Sequence, residues 1–142
     1  MAYLYRKKFD IRELAIINDP VKKVLVIEPE EYLLALYAYH ISRQNFFVRS
    51  CPKVDAVFNA LDDFEPHACV LNAHLWGSGA AMAAGFRKMR QHFPSMVIIT
   101  IGSRAGQDDL RRLMDNGVNA HLDRKLSRPA DVVEILKTLL YN

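Results

Sequence analysis

The 142-residue chain is 51% hydrophobic, 25% charged and 10% aromatic, the balance of one globular domain with its own core, which excludes a disordered or low-complexity chain. Nineteen basic and sixteen acidic residues are interspersed and leave only +3, so charge does not call for nucleic acid. No apolar run approaches the roughly 20 residues that span a bilayer, the N-terminus MAYLYRKKFD lacks the apolar centre of a secretory signal, and Cys51 and Cys69 lack the spacing of a zinc site or disulfide framework. The expectation is a cytoplasmic protein in a reducing setting, without membrane contact.

Residues 1–20 form an N-terminal extension in which Asp10 and Glu13 make a capping box for a short helix carrying Ile11, Leu14, Ala15 and Ile17. Two roles stay open for it: packing on the domain edge, or acting as a docking or dimerisation arm. The domain proper is residues 21–142. Lys23-Val24-Leu25-Val26-Ile27 is short, apolar and β-branched, as suits a strand buried on both faces. Pro29 stops it and serves as the first residue of a helix, with Glu30 and Glu31 at the positive end of its dipole and Leu33, Leu36, Tyr37, His40 and Ile41 along its stripe.

The cycle repeats. Asn45 to Arg49 is a strand, and Pro52 opens a helix with Val54, Val57, Phe58 and Leu61 at helical spacing. Ala68 to Ala73 is the third strand, and the glycine-rich Trp76-Gly77-Ser78-Gly79 leads into an alanine-rich helix ending near His92. Met96 to Ile101 is the fourth strand, Asp108 to Asn116 a helix closed by a left-handed Gly117, and Val118 to Asp123 the fifth strand. Pro129 to Leu140 is the last helix, with Val132, Val133, Leu136, Leu139 and Leu140 facing inward. Five strands alternating with five helices imply right-handed crossovers and a parallel, doubly wound sheet covered on both faces. Ligands of such sheets bind beyond the carboxyl ends of the strands, which here means Glu28, Asn72, Gly102 with Ser103, and Arg124.

The segment Asp109-Leu110-Arg111-Arg112-Leu113-Met114-Asp115-Asn116-Gly117, followed by Val118 to Leu122 and Leu126-Ser127, carries a family likeness. So do Val24 to Ile27 before an acidic turn and Cys69-Val70-Leu71 before a polar residue. Over Lys22 to Tyr141 the chain resembles the CheY-like receiver domain of bacterial response regulators. The resemblance implies a (βα)5 three-layer sandwich of strand order 2-1-3-4-5. It also implies a phosphoacceptor aspartate ending the third strand and an acidic pair after the first that holds Mg²⁺.

This sequence departs at each of those positions. Asn72 stands at the nucleophile position, and a neutral carboxamide is a poor nucleophile for phosphoryl transfer. The acidic pair is Glu28-Pro29, which leaves one carboxylate for a metal that expects several oxygen ligands, so Mg²⁺ binding should be weak or absent and no cofactor is expected. The lysine and cis-proline after the fifth strand align with Arg124 and Lys125, which implies a trans turn, because a non-proline cis bond costs about 2.5–4 kcal/mol. The hydroxyl residue ending the fourth strand aligns with Ile101 or Gly102, and a slip of register would bring in Ser103 or Thr100. These departures predict an Arg124–Glu28 ion pair across the metal site, with Asn72 hydrogen-bonded between the two.

Outside that pocket, Trp76 is either an interface anchor or a roof over it. His121, at the family's aromatic switch position, is either pH-sensitive or a satisfied surface histidine. Arg111, Arg112 and Asp115 retain a charged fourth helix, where the family makes partner contacts. A homodimer through that face stays open, although Asn119 and Ala120 replace the acidic pair of dimerising members. Arg87, Lys88 and Arg90, with Arg6 to Lys8, are a basic patch, but no recognition motif accompanies them. The histidines lack zinc spacing, and no nucleophile or phosphate-loop motif is present. The expectation is a non-enzymatic, stand-alone pseudo-receiver of a two-component-type system, working through a separate protein partner. A phosphorylatable regulator with an atypical site and a nucleic-acid-binding regulator are the alternatives.

Overall fold

A computed structural model describes residues 20–103 and 105–141, so the helix predicted around Asp10 to Ile17 lies outside the described residues. The elements are β1 (Lys22–Ile27), α1 (Glu31–Ser42), β2 (Phe46–Cys51), α2 (Val57–Phe64), β3 (Ala68–Asn72), α3 (Gly79–His92), β4 (Val97–Gly102), α4 (Gln107–Asp115), β5 (Ala120–Asp123) and α5 (Pro129–Leu140). Every strand pairing is parallel, as the alternation of strands and helices implies, and the order is β2-β1-β3-β4-β5, as the family resemblance implies.

Strand side chains alternate between two apolar layers because successive residues of a strand point to opposite faces. Val24, Val26, Val70, Ile99, Ile101 and Leu122 pack with Leu34, Tyr37 and Ile41 of α1 and Val132, Val133 and Leu136 of α5. Leu25, Ile27, Cys69, Leu71 and Ile98 pack with Leu61 of α2, Phe86 and Met89 of α3 and Leu113 of α4. Val24 to Ile27 are at most 1% exposed, and full burial of such a side chain contributes roughly 1.5–3 kcal/mol. A slip of one residue would exchange the two layers, so this burial fixes the register and with it the place of each strand's end.

Several boundaries differ from the sequence expectation, each for a local reason. α1 begins at Glu31, and Pro29 lies in the bend before it, where the Glu28 carboxylate accepts the Glu30 N–H at 3.2 Å. β2 starts at Phe46 because Asn45 takes a left-handed φ of 66°, a conformation asparagine tolerates. β2 then runs on to Cys51, whose carbonyl accepts the Glu28 N–H, so Pro52 opens no helix, Lys53 is extended and a 3-10 turn at Val54–Ala56 precedes α2. Leu139, expected inward, is 41% exposed. Gly117 does close α4 with φ 98°, its N–H donating to the Met114 carbonyl.

Two side chains fix the β3–α3 and α3–β4 connections. The Trp76 ring meets Phe86 edge-on at 5.2 Å and stacks on Phe58 at 6.1 Å, lying flat over Gly85. Arg90, read from sequence as part of a basic patch, instead turns inward and donates to the carbonyls of Phe93, Pro94, Met96 and Gly117 and to Asn119 Oδ1.

Gly85→Ala tests the indole contact. The new Cβ would sit 2.2 Å from Trp76 Cε3, and relieving that overlap costs about 1–3 kcal/mol, more than the roughly 0.5–1 kcal/mol that alanine gains over glycine within a helix. Urea unfolding followed by Trp76 fluorescence should show a lower midpoint for the variant and an altered native emission maximum. An unchanged midpoint and spectrum would contradict this packing.

Candidate functional site

The strand order reverses between β1 and β3, and the residues that leave their carboxyl ends meet there. Glu28 follows β1 and is 7% exposed. Its Oε1 accepts the Glu30 N–H, and its Oε2 lies 3.7 Å from Arg124 Nη2. Arg124 follows β5 and is aimed at Glu28 by its backbone, whose N–H donates to the Gly102 carbonyl at 2.7 Å. The predicted ion pair across the pocket is therefore present. Its geometry is loose, and Arg124 Nε is buried without a hydrogen-bond partner among the described residues.

Asn72 does not bridge the pair as expected. Its Oδ1 accepts the His74 N–H at 2.8 Å, the local turn that asparagine makes with the backbone two residues on. Opposite it in register stands Ile101, whose carbonyl accepts the Ala73 N–H. The missing member of the cluster is Tyr37, read from sequence only as part of the α1 stripe. It is buried, and its hydroxyl pKa is raised, first by burial, with Arg124 lowering it and Glu28 raising it. The void left between Glu28, Tyr37, Asn72 and Ile101 measures about 10 Å³, room for no more than one water.

The remaining pocket residues frame this centre. Pro29 is exposed in the bend, and Lys125 is exposed with its N–H donating to Asp123 Oδ1 at 2.9 Å. No cis peptide occurs among the described residues, so the Arg124–Lys125 link is trans as expected. Gly102 pairs with Asp123 at the end of β4, while Ser103 lies exposed beyond the strand. Thr100 is turned away from the pocket and lies 2.8 Å from His121 Nδ1. Gly102, without a hydroxyl, is the last residue of β4.

The residues read as a surface divide in two. Arg111 and Asp115 are exposed, and Arg112 pairs with Asp109 at 3.2 Å. With Arg87, Asp108 and Asn116 they line a shallow groove of about 400 Å³ between α3 and α4. His121 is recessed against Thr100, so it is not a surface histidine, and Trp76 covers the α2–α3 side of the core. Both cysteines are free and buried, and burial pushes the Cys69 thiol far above the usual range, the character of a small hydrophobe.

No family model matches the sequence, and no curated protein matches it. Solved structures do. A response regulator from Thermotoga maritima superposes with a TM-score of 0.76 at 13% identity, over 87% of this chain and 100% of that one. The CheY-like response regulator receiver domain protein from Methanospirillum hungatei JF-1 gives 0.73 at 13% identity, over 84% and 93%. The signal receiver domain of an HD domain-containing protein from Pseudomonas fluorescens Pf-5 gives 0.73 at 15%, over 85% and 95%. The chain has the receiver-domain fold of response regulators, and at these identities the likeness is one of fold. No described helix is long and apolar enough to cross a membrane.

Two histidines set a pH dependence. His67, whose Nδ1 accepts the Lys23 N–H at 2.9 Å, has its pKa lowered by burial and then by Lys22 and Lys23. His121 is also lowered, burial being the largest cause. Below about pH 6.5 the unfolded chain takes up protons that the folded chain refuses, so stability should fall as pH drops through that value toward the folded pKa values. Urea midpoints at pH about 7.5 and about 5.5 check this: the acidic midpoint should be lower, and His67→Gln should narrow the difference. Equal midpoints would contradict it.

Proposed function

We propose that this chain is a pseudo-receiver, a receiver-fold module of a two-component-type signalling system that acts through phosphorylation-independent contact with a protein partner. The observation that carries the reading is the Arg124 guanidinium lying 3.7 Å from the Glu28 carboxylate, where a phosphorylatable receiver needs its acidic metal site open. Among the described residues Glu28 is the one carboxylate of the pocket, and a cation already neutralises it. A hard divalent ion would have to displace Arg124 and would still lack the oxygen ligands it needs.

The Asn72 carboxamide supports the same reading, since it is a poor nucleophile and its oxygen is engaged by the His74 N–H. In this reading the pocket holds one conformation in place of a phosphorylation-driven pair of states, and the domain is not an enzyme. The charged face of α4, with exposed Arg111 and Asp115 beside the ion-paired Arg112, is the surface offered to a partner. Contact with nucleic acid is disfavoured because Arg90 leaves the basic patch for backbone carbonyls.

Incubation with a small phosphodonor and Mg²⁺, followed by intact-mass spectrometry, tests the reading directly. The expected result is no phosphoryl adduct, and a stoichiometric adduct on an aspartate would overturn it. The combined Asn72→Asp, Pro29→Asp and Arg124→Lys variant should in turn gain Mg²⁺ binding measurable by calorimetry, with at least a tenfold rise in affinity, or about 1.4 kcal/mol. A folded variant with no gain would show that the pocket has been misassigned.

A further inference from the structure

At the end of the sheet opposite the Glu28 pocket, the amino ends of β3 and β4 and the carboxyl end of α5 border an open groove of about 540 Å³. Its walls include Pro66, Phe93, Met96, Val97, Leu139 and Leu140. The two histidines at its rim turn Nδ1 to the backbone, His67 accepting the Lys23 N–H and His92 lying 2.9 Å from the Lys88 carbonyl oxygen. The surface left over is mainly hydrocarbon, with Leu139 still 41% exposed at its edge. An apolar group that displaces water from such a surface is favoured in proportion to the area it covers.

The chain enters the domain beside this groove. The His67 N–H donates to the Lys23 carbonyl at 2.8 Å, so the residues before β1 emerge about one strand spacing, roughly 4.8 Å, from Glu65 and Pro66. The helix expected from Asp10 ends before Pro20, which cannot continue it. So short a helix falls below the roughly 12–15 residues that an isolated helix needs in water, and its stripe of Ile11, Leu14, Ala15 and Ile17 requires a surface to cover. From Ile11 to Ile17 a helix rises about 9 Å, close to two strand spacings, and Asn18 to Pro20 reach about 10 Å when extended. The rival surface is the outer face of α1, where Tyr32 and Tyr39 are 71% and 55% exposed. That face lies a full helix width, about 10–12 Å, further out from the sheet edge at which the chain enters.

We propose that residues 11–17 of the same chain occupy the groove as a two-turn helix laid across the amino ends of β3 and β4, with Leu14 and Ile17 against Phe93 and Leu139. The segment is tethered beside its site, and a short link gives it an effective concentration in the millimolar range, so a modest contact keeps it seated. Of the two roles the sequence leaves open for the extension, this is packing on the domain. The contact lies at the far end of the strands from Glu28, Asn72 and Arg124, and it does not rest on whether the domain is phosphorylated.

The test uses the full chain. Nuclear Overhauser spectra should show the Leu14 and Ile17 methyls in contact with the Phe93 ring and the Leu139 methyls, and these contacts should persist on dilution. Leu14→Asp should abolish them and shift the amides of Val97 and Leu140, while those of Asn72 and Gly102 stay in place. The urea midpoint should fall in Leu14→Asp and in Leu139→Asp, and the double variant should lose little more than the larger single loss, because the two residues share one contact. Leu126→Asp, at a position 81% exposed and outside the groove, should leave the midpoint unchanged. The proposal is overturned if the segment contacts Tyr32 or Tyr39 in place of the groove, if the two losses add, or if no contact to the groove is seen. Contacts that vanish on dilution would assign the groove to a second copy and overturn it as well.

Discussion

The burial of β1 and β3 on both faces is the constraint from which the other features follow. Val24 to Ile27 and Ala68 to Leu71 are each at most 2% exposed, so no register other than the observed one keeps both layers apolar. Fixing these two strands fixes where they stop. Glu28 and Asn72 then emerge side by side at the point where strand order reverses, and the pairing of β4 and β5 delivers Arg124 to the same place through the Gly102 carbonyl. The pocket is thus a consequence of strand ends and needs little from the loops around it.

Within that pocket the Glu28–Arg124 pair is better understood as cover for a buried carboxylate than as a source of stability. An exposed pair is worth about 0–1 kcal/mol, and a separation of 3.7 Å is at the long end of contact. The Glu28 side chain is only 9% exposed, and an uncompensated charge at such depth costs several kcal/mol. The guanidinium, 35% exposed, keeps part of its hydration while it meets that charge. Tyr37 lines the small void beneath Glu28 with Asn72 and Ile101.

The strands were legible in the sequence because each rests on residue identity at a fixed offset, with β-branched runs and Gly117 as a left-handed cap, while their order and the Glu28–Arg124 pair were legible only through the resemblance to receiver domains. What was not legible depends on side-chain direction. Asn72 prefers the near His74 N–H to a distant partner, and nothing in its sequence neighbourhood distinguishes the two. Tyr37 reads as one more apolar position of α1, its hydroxyl being the only hint of a polar wall. Arg90 looks like its basic neighbours Arg87 and Lys88 until the α3–β4 turn surrounds it with carbonyls. Helix starts after Pro29 and Pro52 shifted because the Glu28 carboxylate and the Cys51 carbonyl hold the chain in turn and extended conformations that the proline signal does not reveal.

The central claim is that this receiver fold has exchanged an ion-binding acidic site for an internal ion pair and so holds one state. Fluoroberyllate with Mg²⁺ mimics an acyl phosphate only where an aspartate and a metal site are present. Backbone amide spectra recorded with and without the two together should be superimposable at Asn72, Ala73, Gly102 and Arg124. Saturable shifts at those residues, spreading to α4, would contradict the claim.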